Sequence, residues 1–291
     1  MVGYENTMNT LNGKVLQQEI FSSLKERLQV LKDAGVTPTL VTILIGNNAP
    51  SKLYIERKIL ACKDLGMVGI LEERTTNTSE QELLALIEHY NAKPDVHGIL
   101  IQKPFPLHIN ELAILSAISP YKDVDGFHPE NVGLLVSGNP CFVPCTPLAC
   151  MYMLKSTGVE LKGKHVVVIG RSDLVGKPLA MMLINASATV TVCNSTTKDL
   201  RSFTKQADIV IVAIGKPKLI TKEYIKKGAI VLDVGISRDT LGKISGDVDF
   251  ESVSLITKNI SPVPGGVGPI TIAMLLQNTV LAAELQNQPQ K

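Results

Sequence analysis

Over residues 13–34 the apolar positions Leu16, Ile20, Leu24, Leu28 and Leu31 recur at steps of three and four, which predicts one amphipathic helix closed near Gly35. Beyond Pro38 the pattern changes to an unbroken run over residues 40–45, rich in β-branched side chains, as in a strand buried on both faces. A helix over 51–65, a strand at 68–71, a helix over 79–91 and a strand at 98–101 continue the alternation. Strands that alternate with helices predict parallel βαβ units with helices on both faces of the sheet.

Residues 103–147 break this order, because Pro104, Pro106, Pro120, Pro129, Pro140, Pro144 and Pro147 divide them into short pieces. Four strand-like runs then follow at 166–169, 189–193, 208–213 and 229–233, each with turn residues behind it. The change in composition places a boundary at about 140–150. The predicted fold class is therefore α/β, with two α/β domains and a cleft between them. The first domain covers residues 1–147 and is completed by a helix over about 270–291. The second, residues 148–269, is a Rossmann-type domain with a parallel sheet.

The run at 166–169 leads into Gly170–Arg171–Ser172–Asp173–Leu174–Val175–Gly176–Lys177–Pro178 and then a helical segment. A strand, a Gly turn and a helix N-terminus make a pyrophosphate site, since glycine permits the tight turn and free N–H groups face the anion. Ser172 takes the place of the second glycine of G-x-G-x-x-G, and the spacing also departs from a P-loop. An ordinary βα turn fits the same residues. The second strand ends in Asn194–Ser195–Thr196–Thr197, with no acid between Thr189 and Lys198 to hold a ribose 2′-hydroxyl. Those hydroxyls and Arg171 suit the extra phosphate of NADP, so NADP is expected over NAD.

Tyr54 and Lys58 stand four apart on a predicted helix and project from one face. The pair resembles that of short-chain dehydrogenases, but there the nucleotide turn comes first, and here it follows by more than a hundred residues. A packed Tyr beside a surface Lys fits as well. Gln102 lies just past a strand, where parallel sheets place ligand groups. Asp123 and Asp125 occur in Lys122–Asp123–Val124–Asp125–Gly126–Phe127, where turn chemistry alone could require Asp–Gly. Residues 262–269, Pro-Val-Pro-Gly-Gly-Val-Gly-Pro, predict an exposed loop with unpaired N–H groups that leads into a helix beginning near Ile270.

Composition narrows the function classes. The 291 residues are 45% apolar with a formal charge of +2, which gives no general attraction to nucleic acid or acidic membranes. Five cysteines without a C-x-x-C pair, and five histidines without a ligand spacing, predict buried thiols and no metal site. The polar opening to Asn12 is no signal peptide, and the long uncharged stretch 259–283 is interrupted by prolines, Gln277 and Asn278, so no bilayer span is expected. A cytoplasmic protein is the expectation.

Six segments together carry a resemblance: Tyr54-x-x-x-Lys58, residues 98–106 (Gly-Ile-Leu-Ile-Gln-Lys-Pro-Phe-Pro), residues 122–127, Pro144–Cys145–Thr146–Pro147, the turn from Gly170 to Pro178, and residues 262–269. In this order they resemble the bifunctional methylenetetrahydrofolate dehydrogenase/methenyltetrahydrofolate cyclohydrolase family, the FolD type, from about Leu11 to Leu285. The resemblance implies oxidation of 5,10-methylenetetrahydrofolate by NADP, hydrolysis of the methenyl product to 10-formyltetrahydrofolate, and a homodimer. It implies Lys58 as the main catalytic residue with Gln102, Tyr54 stacked on the substrate's aminobenzoyl ring, and Asp125 on the pterin edge. Gly265 and Gly266 fall beside the folate, and Gly170, Arg171, Ser172, Ser195 and Ile236 on the dinucleotide. Lys103 stands where the family usually has Leu, and is expected to add a positive charge near the substrate; Asn194 replaces a common His. Two other readings use the same plan: a dehydrogenase of another substrate such as shikimate, and a non-catalytic nucleotide sensor, which would need no Tyr–Lys–Gln–Asp set.

Overall fold

The computed structural model describes residues 10–238 and 242–287. The first elements in chain order are α1 (Gly13–Asp33), β1 (Thr39–Ile45), α2 (Ala49–Asp64), β2 (Val68–Arg74), α3 (Glu80–Asn91), β3 (Gly98–Gln102), α4 (Glu111–Ala117), α5 (Pro129–Val136) and α6 (Cys145–Ser156). There follow β4 (His165–Ile169), α7 (Gly176–Asn185), β5 (Thr189–Cys193), α8 (Leu200–Thr204), β6 (Ile209–Val212) and β7 (Ile230–Asp233). The chain ends with β8 (Ser237–Arg238), β9 (Ile244–Ser245), α9 (Phe250–Ser254), β10 (Asn259–Ile260) and α10 (Val267–Gln286). It divides into two compact units, one of Glu19–Cys145 with residues 272–287, the other of residues 10–18 with Thr146–Thr271.

In the first of these units, β1 lies between β2 and β3 in a parallel sheet. All seven positions of β1 are buried, which is why its sequence does not alternate. The edge strand β2 runs three residues beyond the predicted Leu71, through Glu72, Glu73 and Arg74, because its outer side faces water and tolerates charge. Ser79 opens α3 with a capping box: Glu82 N–H donates to Ser79 Oγ at 3.2 Å, and Ser79 N–H donates to the Glu82 carboxylate at 2.8 Å.

Polar side chains hold the proline-rich middle in place. The buried Lys122 ammonium donates to the carbonyl oxygens of Tyr90, Asn91 and Lys93 at 3.1, 2.8 and 2.6 Å, closing the C-terminal end of α3. Asp123, also buried, accepts the His128 N–H at 2.7 Å and the Asn131 Nδ2 at 2.9 Å at the start of α5. Within the same unit α10 is tied down by Glu284, which accepts two bonds from Arg27 at 2.8 and 2.6 Å, and by Gln286, which donates to His97 O and Tyr121 O at 2.9 Å.

The other unit is a five-stranded parallel sheet in the order β10-β7-β6-β4-β5. Val167, Ile169, Val210, Val212 and Val231 form its buried core. Residues 10–18 join it through the parallel pairing of Thr10 with Ile260 and a 2.8 Å bond from Leu11 N–H to Ile260 O.

Two expectations are corrected here. Residues 262–269 are not an exposed loop: only Pro264 is exposed, Pro262 and Gly266 are buried, and helix α10 begins at Val267. The cause is backbone packed on backbone. Gly13 N–H donates to Gly265 O at 2.8 Å, and a Cβ on Gly13 would lie 1.7 Å from Gly266 O. Pro269 fits inside the first turn of α10, where its missing N–H costs no helix bond. Secondly, α10 is long and apolar enough to cross a membrane by length and composition. It is mostly buried in the protein, as a core helix is, and its buried Asn278 is paired.

Candidate active site

Helix α2 carries Tyr54 and Lys58 on one face, as the spacing predicts. The Lys58 Nζ lies 4.9 Å from the centroid of the Tyr54 ring and donates to Gln102 Oε1 at 3.0 Å. Gln102 ends β3 and turns its own Nε2 onto Lys103 O at 3.0 Å, which fixes the amide with its oxygen toward the lysine. Only 5% of Lys58 is exposed. Burial lowers its pKa from the ordinary lysine value, and the negative charge of Asp125 works in the opposite direction. The group is thus a buried amine with one neutral acceptor and one nearby carboxylate, held below the ordinary lysine range and so more readily neutral than a surface lysine.

Asp125 reaches this place by pairing along β3. Ile99 pairs in parallel with Asp123, and Ile99 N–H donates to Lys122 O at 2.8 Å, so the chain runs on toward the end of β3 where Gln102 stands. Gly126 then turns with φ +72°, and a Cβ there would lie 2.7 Å from the Val143 carbonyl carbon. The glycine of Asp–Gly is required by this turn, while Asp125 is left to face Lys58.

Two further participants have no role assigned to them by the sequence. Cys145 is fully enclosed and hydrogen-bonded to the Asp125 carboxylate; burial first, then that carboxylate, push its thiol well above the ordinary range. It is therefore a neutral neighbour of Asp125. Asn278 of α10 donates from Nδ2 to Val124 O at 2.8 Å and to Val143 O at 3.1 Å, clasping both flanks of the Asp125 turn. The adjacent amides Gln277 and Asn278 in a mostly apolar helix are the available signal. Cys62, one turn after Lys58, is a further buried thiol, raised to about 12 by burial.

Lys103 does not present a free positive charge, contrary to expectation. It pairs with Glu111, and its Nζ lies 4.9 Å from the Phe127 ring centroid. Of the cysteines, Cys62, Cys145, Cys150 and Cys193 are buried and Cys141 is partly so, as expected. Among the described residues no three His, Cys, Asp or Glu side chains cluster to hold a metal.

The dinucleotide candidates lie in the other unit, at the carboxyl ends of its strands. The sheet order reverses at β4, with β5 on one side and β6 on the other, and such a switch point is where ligands bind. Gly170 follows β4 with φ +123°, and a Cβ on it would lie 2.2 Å from Ala213 O. A Cβ on Gly176 would lie 2.1 Å from Gly170 O. Only glycines fit this turn. Helix α7 has no side-chain cap at Val175, which leaves its positive end for an anion. Arg171, Ser172 and Ser195 are exposed, as is Ile236 in the loop after β7. Asn194 folds its own loop, its Oδ1 accepting Thr196 N–H at 2.9 Å. The cradle, the uncapped helix and the exposed cation and hydroxyls together fit a phosphorylated dinucleotide. Gly265 and Gly266 belong to this unit too, against Gly13.

Residues 11–125 match the family model described as tetrahydrofolate dehydrogenase/cyclohydrolase, catalytic domain, and residues 144–287 match that of the NAD(P)-binding domain. The chain belongs to the tetrahydrofolate dehydrogenase/cyclohydrolase family. It is 49% identical to the bifunctional protein FolD of Acidovorax sp. (strain JS42) over 96% of this chain and 99% of that one. It superposes on the bifunctional FolD methylenetetrahydrofolate dehydrogenase/cyclohydrolase of Campylobacter jejuni with a TM-score of 0.93 and 50% identity, covering 95% and 98% of the two chains. A Trypanosoma brucei FolD, solved with NADP cofactor and an inhibitor, gives a TM-score of 0.93 at 38% identity over 96% and 98%. FolD relatives thus span both units, and a family resting on the second unit alone would not.

Proposed function

We propose that this protein oxidises 5,10-methylenetetrahydrofolate with NADP⁺ to the 5,10-methenyl cation and hydrolyses that cation to 10-formyltetrahydrofolate. The observation that carries the reading is the buried Lys58 bonded to Gln102 and faced by Asp125. Hydrolysis of a cationic amidine needs an amine that can be neutral, and a buried lysine with a neutral amide acceptor supplies one.

The chemistry supplied by bound NADP⁺ is acceptance of a hydride from the one-carbon bridge, a step that asks for placement and no acid or base. Gly170, Arg171, Ser172, Ser195 and Ile236 supply that placement in our reading. Lys58 does the proton work of hydrolysis. Its neutral amine takes a proton from the water that attacks the methenyl carbon, and a proton is returned to N5 as the C–N5 bond breaks; the second proton of the water leaves to solvent. A cationic substrate disfavours the ammonium form further, in the same direction as burial. Gln102 orients the amine without adding charge. Asp125 accepts the amino and ring N–H donors of the pterin, and Tyr54 offers its ring to the aminobenzoyl group. Gly265 and Gly266 are assigned to the folate side by the family pattern.

The family pattern also supports a cytoplasmic homodimer, for which light scattering should give the mass of two chains. The function is tested by chromatography of purified protein with 5,10-methylenetetrahydrofolate and either NADP⁺ or NAD⁺. Rapid 10-formyl formation with NADP⁺, above the spontaneous rate, is expected. Methenyl that accumulates without faster opening would remove the role of Lys58, and no product with either dinucleotide would overturn the folate reading.

A further inference from the structure

Asp233 closes β7 and Asp247 follows β9, and the two are buried to 3% and 0% exposure. Asp233 Oδ1 accepts the N–H groups of Gly235 and Asp247 at 3.0 Å, and its Oδ2 accepts that of Val248 at 2.9 Å. Asp247 Oδ2 accepts the N–H groups of Ile214 and Gly215 at 2.7 and 2.9 Å. The packing is reciprocal. A Cβ on Gly235 would lie 2.1 Å from the Asp247 carboxyl carbon, and one on Gly246 would lie 2.0 Å from Asp233 Oδ2. Each carboxyl group is seated on a glycine within two residues of the other aspartate in sequence.

Asp247 Oδ1 has no hydrogen-bond partner among the described residues. A buried carboxylate with an idle oxygen is a costly way to brace a loop. What it braces is specific. Ile214 and Gly215 follow β6, and the residue before them, Ala213, puts its carbonyl oxygen against Gly170 in the phosphate turn. Gly235 precedes Ile236, whose side chain is 66% exposed. One side chain therefore fixes the loops after β6 and β7, both at the carboxyl ends of the strands beside the switch point.

We propose that Asp247 is a positioning residue for the dinucleotide: by engaging the Ile214 and Gly215 N–H groups and seating Gly235, it pre-shapes the crevice next to Gly170 and so sets affinity for NADP. A loop ordered in advance spares the ligand the cost of ordering it on binding. The inference rests on the NADP-dependent reading given above.

The test compares Asp247→Ala and Asp247→Asn with the parent enzyme in both half-reactions. In Asp247→Ala the KM for NADP should rise by about 10-fold or more, the loss of two charge-assisted bonds, with a smaller change in kcat. Hydrolysis of supplied methenyltetrahydrofolate, which involves no dinucleotide, should persist. Asn keeps one oxygen for the same two N–H groups and should restore most of the KM. An unchanged KM for NADP in Asp247→Ala, or hydrolysis falling in step with oxidation, overturns the proposal. Should Asp247→Ala fail to fold, Gly235→Ala decides: it drives a methyl into the Asp247 carboxyl, and an unaltered KM for NADP would refute the assignment. A parent enzyme without NADP-dependent oxidation would instead defeat the reading of function on which this rests.

Discussion

The Lys58 ammonium of α2 donates a 3.0 Å hydrogen bond to Gln102 Oε1 at the end of β3, two residues 44 positions apart in sequence. That bond leaves the amine with a single uncharged acceptor. Replacing Lys58 by Met should reduce methenyl hydrolysis by about 10²-fold or more, the usual scale for a lost proton-transfer group. Arginine at 58 should not rescue it, because a guanidinium does not become neutral. Hydrolysis followed by absorbance for the parent, Lys58→Met and Lys58→Arg checks both statements; retention of activity in either variant contradicts them.

Asp125 raises the Lys58 pKa against the effect of burial. Its neutral replacement, Asp125→Asn, should therefore let that pKa fall further, and the rise of hydrolysis with pH should move to lower pH. The same variant loses an ionised acceptor for the pterin, so the KM for folate should increase by about 10-fold. Rate–pH profiles and folate titration read the two effects separately.

Gly170 sits at φ +123° with no room for a Cβ beside Ala213 O. Gly170→Ala should abolish measurable NADP-dependent oxidation while leaving hydrolysis in place. NADP should then no longer raise the melting temperature, since a ligand stabilises only the fold it binds.

Much of this arrangement was legible in the sequence, for identifiable reasons. The apolar, β-branched runs predict β1, β4, β6 and β7 because strands buried on both faces keep nearly all of their positions apolar. Tyr54, Lys58 and Gln102 were recognisable because helix spacing and strand ends are local rules. What escaped depends on closure of the chain upon itself. Asn278 and Cys145 meet the Asp125 turn from far along the sequence, and Asp233 and Asp247 meet each other across a hairpin. Helix α2 starts before the predicted residue 51 because Pro50 fits in its first turn behind the cap Asn48, whose Oδ1 accepts Ser51 N–H at 3.0 Å. The positive charge of Lys103 looked free because its partner Glu111 lies on the following helix.

Asn278→Leu tests the clasp on the Asp125 turn. It strands the buried Val143 carbonyl and leaves Val124 O only the weak Cys145 thiol donor at 3.5 Å, at a cost of about 2–3 kcal/mol. Urea unfolding should show a lower midpoint at unchanged slope, and the KM for folate should rise because the turn carrying Asp125 is looser.

Asp233 has its pKa raised from 3.8 to about 7, chiefly by burial, with the charge of Asp247 adding to the effect. Between about pH 4 and 7 the folded protein holds a proton that the unfolded chain has released. Stability should therefore fall as pH rises through this window, by at most about 1.4 kcal/mol per pH unit, and level off above it. Midpoints of urea unfolding from pH 5 to 8 should show this slope in the parent, and Asp233→Asn should remove that part of it.

Residues 272–287 complete the unit whose other part is Glu19–Cys145, through Asn278, Glu284 and Gln286. The unit whose strands come first in the chain is therefore the last to have all its residues synthesised. The whole Thr146–Thr271 segment emerges before the strands β1, β2 and β3 receive their last helix. During that interval the nascent catalytic half leaves the Val124 and Val143 carbonyls unclasped. The nucleotide half is thus complete in the chain before the catalytic half, although the catalytic strands are made first.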